Sequence, residues 1–150
     1  MPGTVTTLQA MRAKVRANKT NPYIRALAYR ITEPLRQKDW RGEINACFEY
    51  VRDNVRYIKD INGVETLADP LQVVRQGQGD CDDKATLLAT LLESIGHPTR
   101  FVAVGFNAGE LSHVYVETKL GSRWIALEPT EPVQMGWCVP NVVTRRICHN

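Results

Sequence analysis

The stretch Gly77-Gln78-Gly79-Asp80-Cys81-Asp82-Asp83-Lys84-Ala85 is the one around which the rest of the chain is organised. Two glycines supply permissive backbone, and Asp80 is a residue type that caps helix N-termini. Ala85, Leu88, Leu92 and Ile95 then recur at spacings of three and four before Gly96 offers a C-cap. The pattern predicts a helix that starts at a cysteine. Cys81 stands four residues before Ala85, on the stripe that faces neighbouring elements. Unpaired N–H groups and the positive end of the macrodipole at that helix end favour thiolate over thiol. Asp82 and Asp83 suit the same dipole yet oppose a second negative charge on sulfur, so a positive partner is needed. Two readings of Cys81 stand at this point, an activated nucleophile and a small buried core residue.

Around this stretch the chain reads as one domain over residues 1–150. Its 43% hydrophobic and 23% charged content is that of a globular protein able to bury a core, which excludes a disordered chain. The net charge of +3 is mild, but Arg12, Lys14, Arg16, Lys19, Arg25 and Arg30 all precede Glu33, the first acidic residue. We read this run as a solvated helix face, and nucleic acid is not an expected partner. No stretch is long and apolar enough to span a bilayer, and the N-terminus lacks the apolar core of a signal peptide. A soluble cytoplasmic protein without a membrane partner is therefore expected. Cys47, Cys81, Cys138 and Cys148 are too few and too irregularly spaced for a disulfide framework. Cys47 is assigned to the core, and Cys138 and Cys148 are expected to be reduced and structural.

Residues 1–20 have weak helical tendency and read as a partly mobile basic lead-in. A helical part follows over 21–96. Asn21-Pro22 opens a helix carrying Ile24, Leu27, Ala28 and Ile31 until Pro34 interrupts it, and a second helix starts near Asp39 with the stripe Ile44, Phe48, Val51, Val55 and Ile58. Asp60 to Thr66 contains Asn62-Gly63 and reads as a turn, and Asp69-Pro70 opens a short helix through Arg75. After Gly96 the period changes to two. Thr99–Phe106, Ser112–Thr118 and Arg123–Glu128 read as strands, and the tail from Pro129 as irregular chain with a final strand. Helices first and strands second predict an α+β fold with helices packed on an antiparallel sheet.

A nucleophilic cysteine needs a base and an orienting group. His113 is the best base, opening a strand after the cysteine helix, whereas His97 lies in the turn Gly96-His97-Pro98 and His149 is next to the C-terminus. Glu128 ends the next strand on the same-parity face, as an orienting group would. Oxyanion donors are the Cys81 backbone N–H and the side chain of Gln76 or Gln78. A metal site built from Cys81, Asp82, Asp83 and His113 is a weaker alternative, because no Cys-x-x-Cys or His-x-x-x-His element is present; no metal or cofactor is expected.

These residues resemble the transglutaminase-like cysteine enzymes, in particular the short stand-alone type of bacteria and phages. The likeness runs from Trp40 to Thr130. It covers a helix pair, Gly79-Asp80-Cys81-Asp82-Asp83-Lys84-Ala85 with its leucine helix, His113-Val114-Tyr115-Val116-Glu117, and Trp124-Ile125-Ala126-Leu127-Glu128-Pro129-Thr130. Cys81 and His113 match the family's pattern, and Glu128 stands where the family usually has aspartate. The resemblance implies a papain-like α+β core and thiol-mediated acyl transfer at an amide, and a protein or peptide substrate is expected; hydrolysis is favoured over transamidation because water needs no second substrate site. A non-catalytic interaction module, such as a phage structural or assembly factor associated with a virion, is the alternative from another class.

The hairpin carrying His113 and Glu128 has a predicted register. With Leu120-Gly121 at the centre of a four-residue loop, position 113 pairs with 128, 115 with 126 and 117 with 124. The other face then pairs Val114 with Leu127 and Val116 with Ile125. That face is the more apolar one, so helices are expected to cover both faces of the sheet.

Overall fold

The computed structural model describes residues 5–59 and 67–150. Its first element, α1 (Val5–Asn18), buries Leu8, Met11 and Val15. The chain here is a packed helix and not the lead-in expected over residues 1–20. Its apolar stripe is only three side chains wide amid Arg, Lys, Ala and Thr, so it reads faintly until a partner surface exists. Lys14 of this helix pairs with Asp69 at 2.6 Å, which ties the basic run to the body of the molecule.

The next two helices begin where their caps predict. In α2 (Pro22–Thr32), Asn21 Oδ1 accepts from the Tyr23 N–H at 2.9 Å. In α3 (Trp40–Asn54), Asp39 Oδ1 accepts from the Gly42 N–H at 3.0 Å. Ile44, Cys47, Phe48 and Val51 face the core, with Cys47 fully buried as assigned, while Ile58 falls beyond the helix. A short strand, β1 (Arg56–Tyr57), follows, and the expected turn at 60–66 lies outside the described residues. The helix α4 (Pro70–Gln76) ends at Gly77, whose φ of 64° needs glycine. The chain then enters β2 (Gln78–Gly79), which pairs with β1 in parallel; two-residue strands leave no periodicity to read.

At the centre lies α5 (Cys81–Ser94). Asp80 caps it by accepting from the Asp83 N–H at 2.9 Å, and the Asp83 carboxylate accepts in return from the Asp80 N–H at 3.2 Å, a reciprocal capping box. Every residue from Cys81 to Leu92 is buried, so the predicted one-sided stripe is exceeded: α1, α2, α3 and α4 surround the helix together with the sheet. Leu87, Leu88, Leu91 and Leu92 each contribute roughly 1.5–3 kcal/mol of transfer free energy there. Thr86 and Thr90 are tolerated because their hydroxyls donate to the carbonyls of Asp82 and Thr86, one turn back, at 2.7 and 2.6 Å.

The sheet comprises β3 (Thr99–Gly105), β4 (His113–Leu120), β5 (Arg123–Leu127) and β6 (Thr144–His149), antiparallel in the order β5-β4-β3-β6. The α+β architecture is the expected one. The β4–β5 register is not: Val116 pairs with Leu127, Glu117 with Ala126 and Thr118 with Ile125, two positions from the prediction. Leu120 pairs with Arg123 and leaves Gly121-Ser122 as a two-residue loop, with Gly121 at φ 64° in the first turn position, where such loops take glycine. The expected loop kept Leu120 out of the strand, whereas this apolar side chain packs against the main core. A shift of two leaves every side chain on its face.

Phe101, Ala103, Val114, Val116 and Leu127 join the helix-side core. On the opposite face Val102, Val104, Tyr115 and Ala126 form a small second cluster, and the tail rather than a helix covers it, through Val139. Glu117, also buried there, holds Arg100 at 2.6 Å and Arg145 at 3.1 Å.

Candidate active site

Cys81 is the first residue of α5 and is 8% exposed. Its sulfur meets the backbone N–H of Val114, the residue after His113, and its thiol donates a long hydrogen bond of 3.6 Å to Asp82 Oδ1. Burial pushes the thiol pKa well up, the carboxylates of Asp82 and Asp80 push it further, and the Val114 N–H opposes them. The resting state is therefore the thiol, the reverse of the thiolate expected from the helix terminus. The dipole is outweighed because burial strips water from the sulfur and two carboxylates share the same helix start.

The rest of the motif builds the helix start. Asp83, buried, accepts from the Ala68 N–H at 2.9 Å and from the Asp80 N–H at 3.2 Å, and so fastens the approach to α4 onto the start of α5. Burial raises its carboxyl to about 6, with the negative Asp80 nearby adding to the effect and the two backbone donors working against it. A Cβ on Gly79 would stand 2.7 Å from the Asp83 Cβ, so the glycine is required for close approach. Lys84, fully buried, donates to Val55 O at 2.6 Å and Arg52 O at 3.5 Å, where its charge meets the negative end of α3. Burial lowers its pKa, against the pull of Glu128 and Asp53.

His113 opens β4, and Glu128 follows the last residue of β5. Nε2 of His113 lies 2.5 Å from Glu128 Oε2, and Glu128 Oε1 accepts from the Thr130 N–H at 3.1 Å. The Glu128 side chain is 0% exposed and that of His113 18%. The observed register sets the two residues diagonally rather than directly opposite, and the length of the glutamate spans the difference.

The other candidates stand apart. Gln76 ends α4 and Gln78 lies in β2, both with exposed side chains. His97 Nε2 contacts Glu43 Oε1 at 2.8 Å, and His149 packs edge-on against Trp124. Cys47 is pushed to about 12, mainly by burial and then by Glu43. All four cysteines are free, and Cys138 is exposed, so it is not a core residue. Asp83 is taken up by the capping box and His113 by Glu128; among the described residues no three His, Cys, Asp or Glu side chains gather as a metal would need. The sequence alone assigned no role to Tyr57, Lys84 or Thr130, which line a cavity of about 640 Å³. Lys84 and Thr130 lay inside quoted motifs, but only the folded chain brings them to one place.

A cysteine at the start of a central helix, beside one end of an antiparallel sheet where a histidine meets a buried carboxylate, defines the class of papain-like α+β thiol folds. The chain belongs to the transglutaminase-like superfamily, whose family model matches residues 11–129. Solved structures share the fold. A "putative protease" from Parabacteroides distasonis is 16% identical with a TM-score of 0.66, over 85% of this chain and 26% of that one. A "putative cysteine protease" from Cytophaga hutchinsonii is 19% identical with a TM-score of 0.59, over 85% and 46%. LapG of Legionella pneumophila is 14% identical with a TM-score of 0.60, over 90% and 80%. The chain thus spans about a quarter and about half of the first two of these proteins. A comparison with curated proteins found no match. Among the described residues no helix is long and apolar enough to cross a membrane.

Proposed function

We propose that this chain is a cysteine hydrolase of amide bonds in a protein or peptide substrate, with Cys81 as nucleophile, His113 as general base and acid, and Glu128 as the orienting group. The observation that carries the reading is the contact of His113 with a fully buried Glu128 at the end of the sheet where the Cys81 sulfur meets the Val114 N–H. Glu128 engages Nε2, which leaves Nδ1 to take a proton. Because the resting sulfur is a thiol, His113 removes its proton as the sulfur attacks the carbonyl carbon, rather than waiting as a preformed ion pair. The tetrahedral intermediate collapses when the imidazolium gives that proton to the amine nitrogen and the C–N bond breaks, leaving a thioester on Cys81. His113 then takes a proton from water as the water oxygen attacks the thioester; the C–S bond breaks, the carboxylic acid product leaves, and the imidazolium returns the proton to sulfur to restore the thiol. The Cys81 backbone N–H, at a helix start, is one donor for the oxyanion. Hydrolysis is preferred to transamidation because water needs no second substrate site.

The test is intact-protein mass spectrometry with a panel of peptide and amine substrates. We expect an acyl adduct on Cys81, and Cys81→Ala to lose at least about 10³-fold in turnover with its melting temperature kept. Turnover that persists in Cys81→Ala would remove the thiol from the mechanism. A folded protein without adduct or turnover would favour the non-catalytic interaction module, including the phage assembly variant.

A further inference from the structure

The strand β1 has one side turned away from its partner. The N–H groups of Arg56 and Ile58 donate across to Gly77 O at 2.8 Å and Gly79 O at 3.0 Å. Backbone groups alternate sides along a strand, so those of Val55 and Tyr57 point the other way. Val55 marks that side: its carbonyl accepts from Lys84 Nζ. The 640 Å³ cavity opens there, between β1 and the segment that follows β5, with Tyr57, Lys84, Thr130 and Glu131 among its walls. Its volume lies within the roughly 300–1,000 Å³ of ligand sites.

Three features say what would fit. Thr130 Oγ1, in the cavity wall, is buried and has no hydrogen-bond partner, a state that costs roughly 1–3 kcal/mol until a partner arrives. The charged residues on the walls are of both signs, Arg52, Arg56 and Lys84 with Asp53 and Glu131, so the cavity does not select a strongly charged ligand. The cavity lies about one helical turn from the nucleophile, because Lys84 in its wall stands three residues after Cys81 on α5. The Tyr57 phenol pKa is raised first by burial, and the Cys81 sulfur lies within electrostatic range of the phenol.

We propose that this cavity takes an extended polypeptide segment of the substrate, which adds to β1 as a further strand through the N–H and C=O of Tyr57 and satisfies Thr130 Oγ1. The proposal rests on the cysteine-hydrolase reading and deepens it, since main chain rather than an isolated amide becomes the recognised group.

The test uses acetylated peptidyl epoxysuccinates carrying four-residue chains on either side of the epoxide, with iodoacetamide as the small control electrophile. In each case sulfur displaces its leaving group, the epoxide C–O bond opening to an alcohol or iodide departing. Labelling of Cys81 is followed by mass spectrometry and hydrogen exchange at the Tyr57 amide by NMR. We expect N-methylation of a single peptide amide to slow labelling about five- to tenfold, as loss of one main-chain hydrogen bond implies. The Tyr57 amide should become protected in the labelled protein, and the ratio of peptide to iodoacetamide rates should fall several-fold in Thr130→Val. Labelling that ignores N-methylation, with Tyr57 exchange unchanged, would overturn the docking proposal and leave the hydrolase reading standing. A Cys81 that reacts with iodoacetamide but with none of the epoxysuccinates would overturn the hydrolase reading and the docking proposal with it.

Discussion

Two histidine–carboxylate contacts sit at opposite ends of α5, and they are built in inverse fashion. Near the C-terminal end, His97 Nε2 meets Glu43 at 2.8 Å, the His97 N–H donates to Leu92 O at 3.0 Å, and the imidazole is the more buried partner, 9% exposed against 24% for Glu43. Near the N-terminal end, His113 is 18% exposed and Glu128 0%. A base has to reach a substrate, whereas the group that orients it does not, so a buried carboxylate behind an accessible ring is the arrangement that proton transfer calls for. The reverse arrangement locks a turn. Sequence spacing alone does not distinguish these contacts; the shared end with the Cys81 sulfur and the inverted burial do.

Paired substitutions break the comparison if it is wrong. The largest effect belongs to the rings: we expect His113→Ala to cost about 10²–10⁴-fold in kcat/KM with little loss of stability, and His97→Ala to keep activity while losing roughly 1–2 kcal/mol in denaturant unfolding. Equal activity losses in both variants would mean that the site is spread along the whole helix. Next come the carboxylates. Glu128→Gln can keep the shape but offers an amide for an anion, and should lose about 10²-fold or more in kcat, while Glu43→Gln should stay within a few-fold of the parent in the same assay.

A smaller effect sharpens the account of the thiol. Asp82 is the first charge after burial to hold Cys81 protonated, so Asp82→Asn should lower the thiol pKa. At one fixed mildly alkaline pH, alkylation of Cys81 by iodoacetamide should then be several-fold faster than in the parent. An unchanged rate would mean that the Asp82 charge does not help to hold the thiol protonated.

The smallest effect concerns stability and pH at the capping box. The folded carboxyl of Asp83, at about 6, lies above its ordinary 3.8, so between those values the native state binds more protons than the unfolded chain. The contribution of Asp83 to stability is thus fully present below about 3.8 and declines as pH rises through about 6. Denaturant titrations of the parent and Asp83→Asn at pH 7, 5.5 and 4.5 should show the parent gaining on the variant as pH falls. A gap that is constant across this range would mean that the two backbone donors cancel the cost of burial.

Much of this arrangement was legible because it rests on interactions within a few residues. Asn21-Pro22, Asp39 and Asp80 mark their helix starts through side chains that reach N–H groups two or three positions ahead. The shared face of His113 and Glu128 was legible for a different reason: a strand repeats every two residues, so parity survives the two-residue error in register. Their direct opposition did not survive that error, because packing of Leu120 against the core drew two more residues, Lys119 and Leu120, into the strand and left the turn to Gly121-Ser122.

Other features belong to the tertiary structure alone. The faint stripe of α1 became a packed helix, and α5 became buried on every side, because burial is a collective property of the elements that surround a segment. The protonation of Cys81 reversed its expected direction for the same cause. The helix dipole is a local quantity that sequence reveals, whereas loss of water around the sulfur and its distance to two carboxylates depend on how the whole chain closes over it. The residue types and spacing of Cys81, His113 and Glu128 were determined by sequence; which ring is accessible, which carboxylate is buried and what lies beside the thiol were decided by packing.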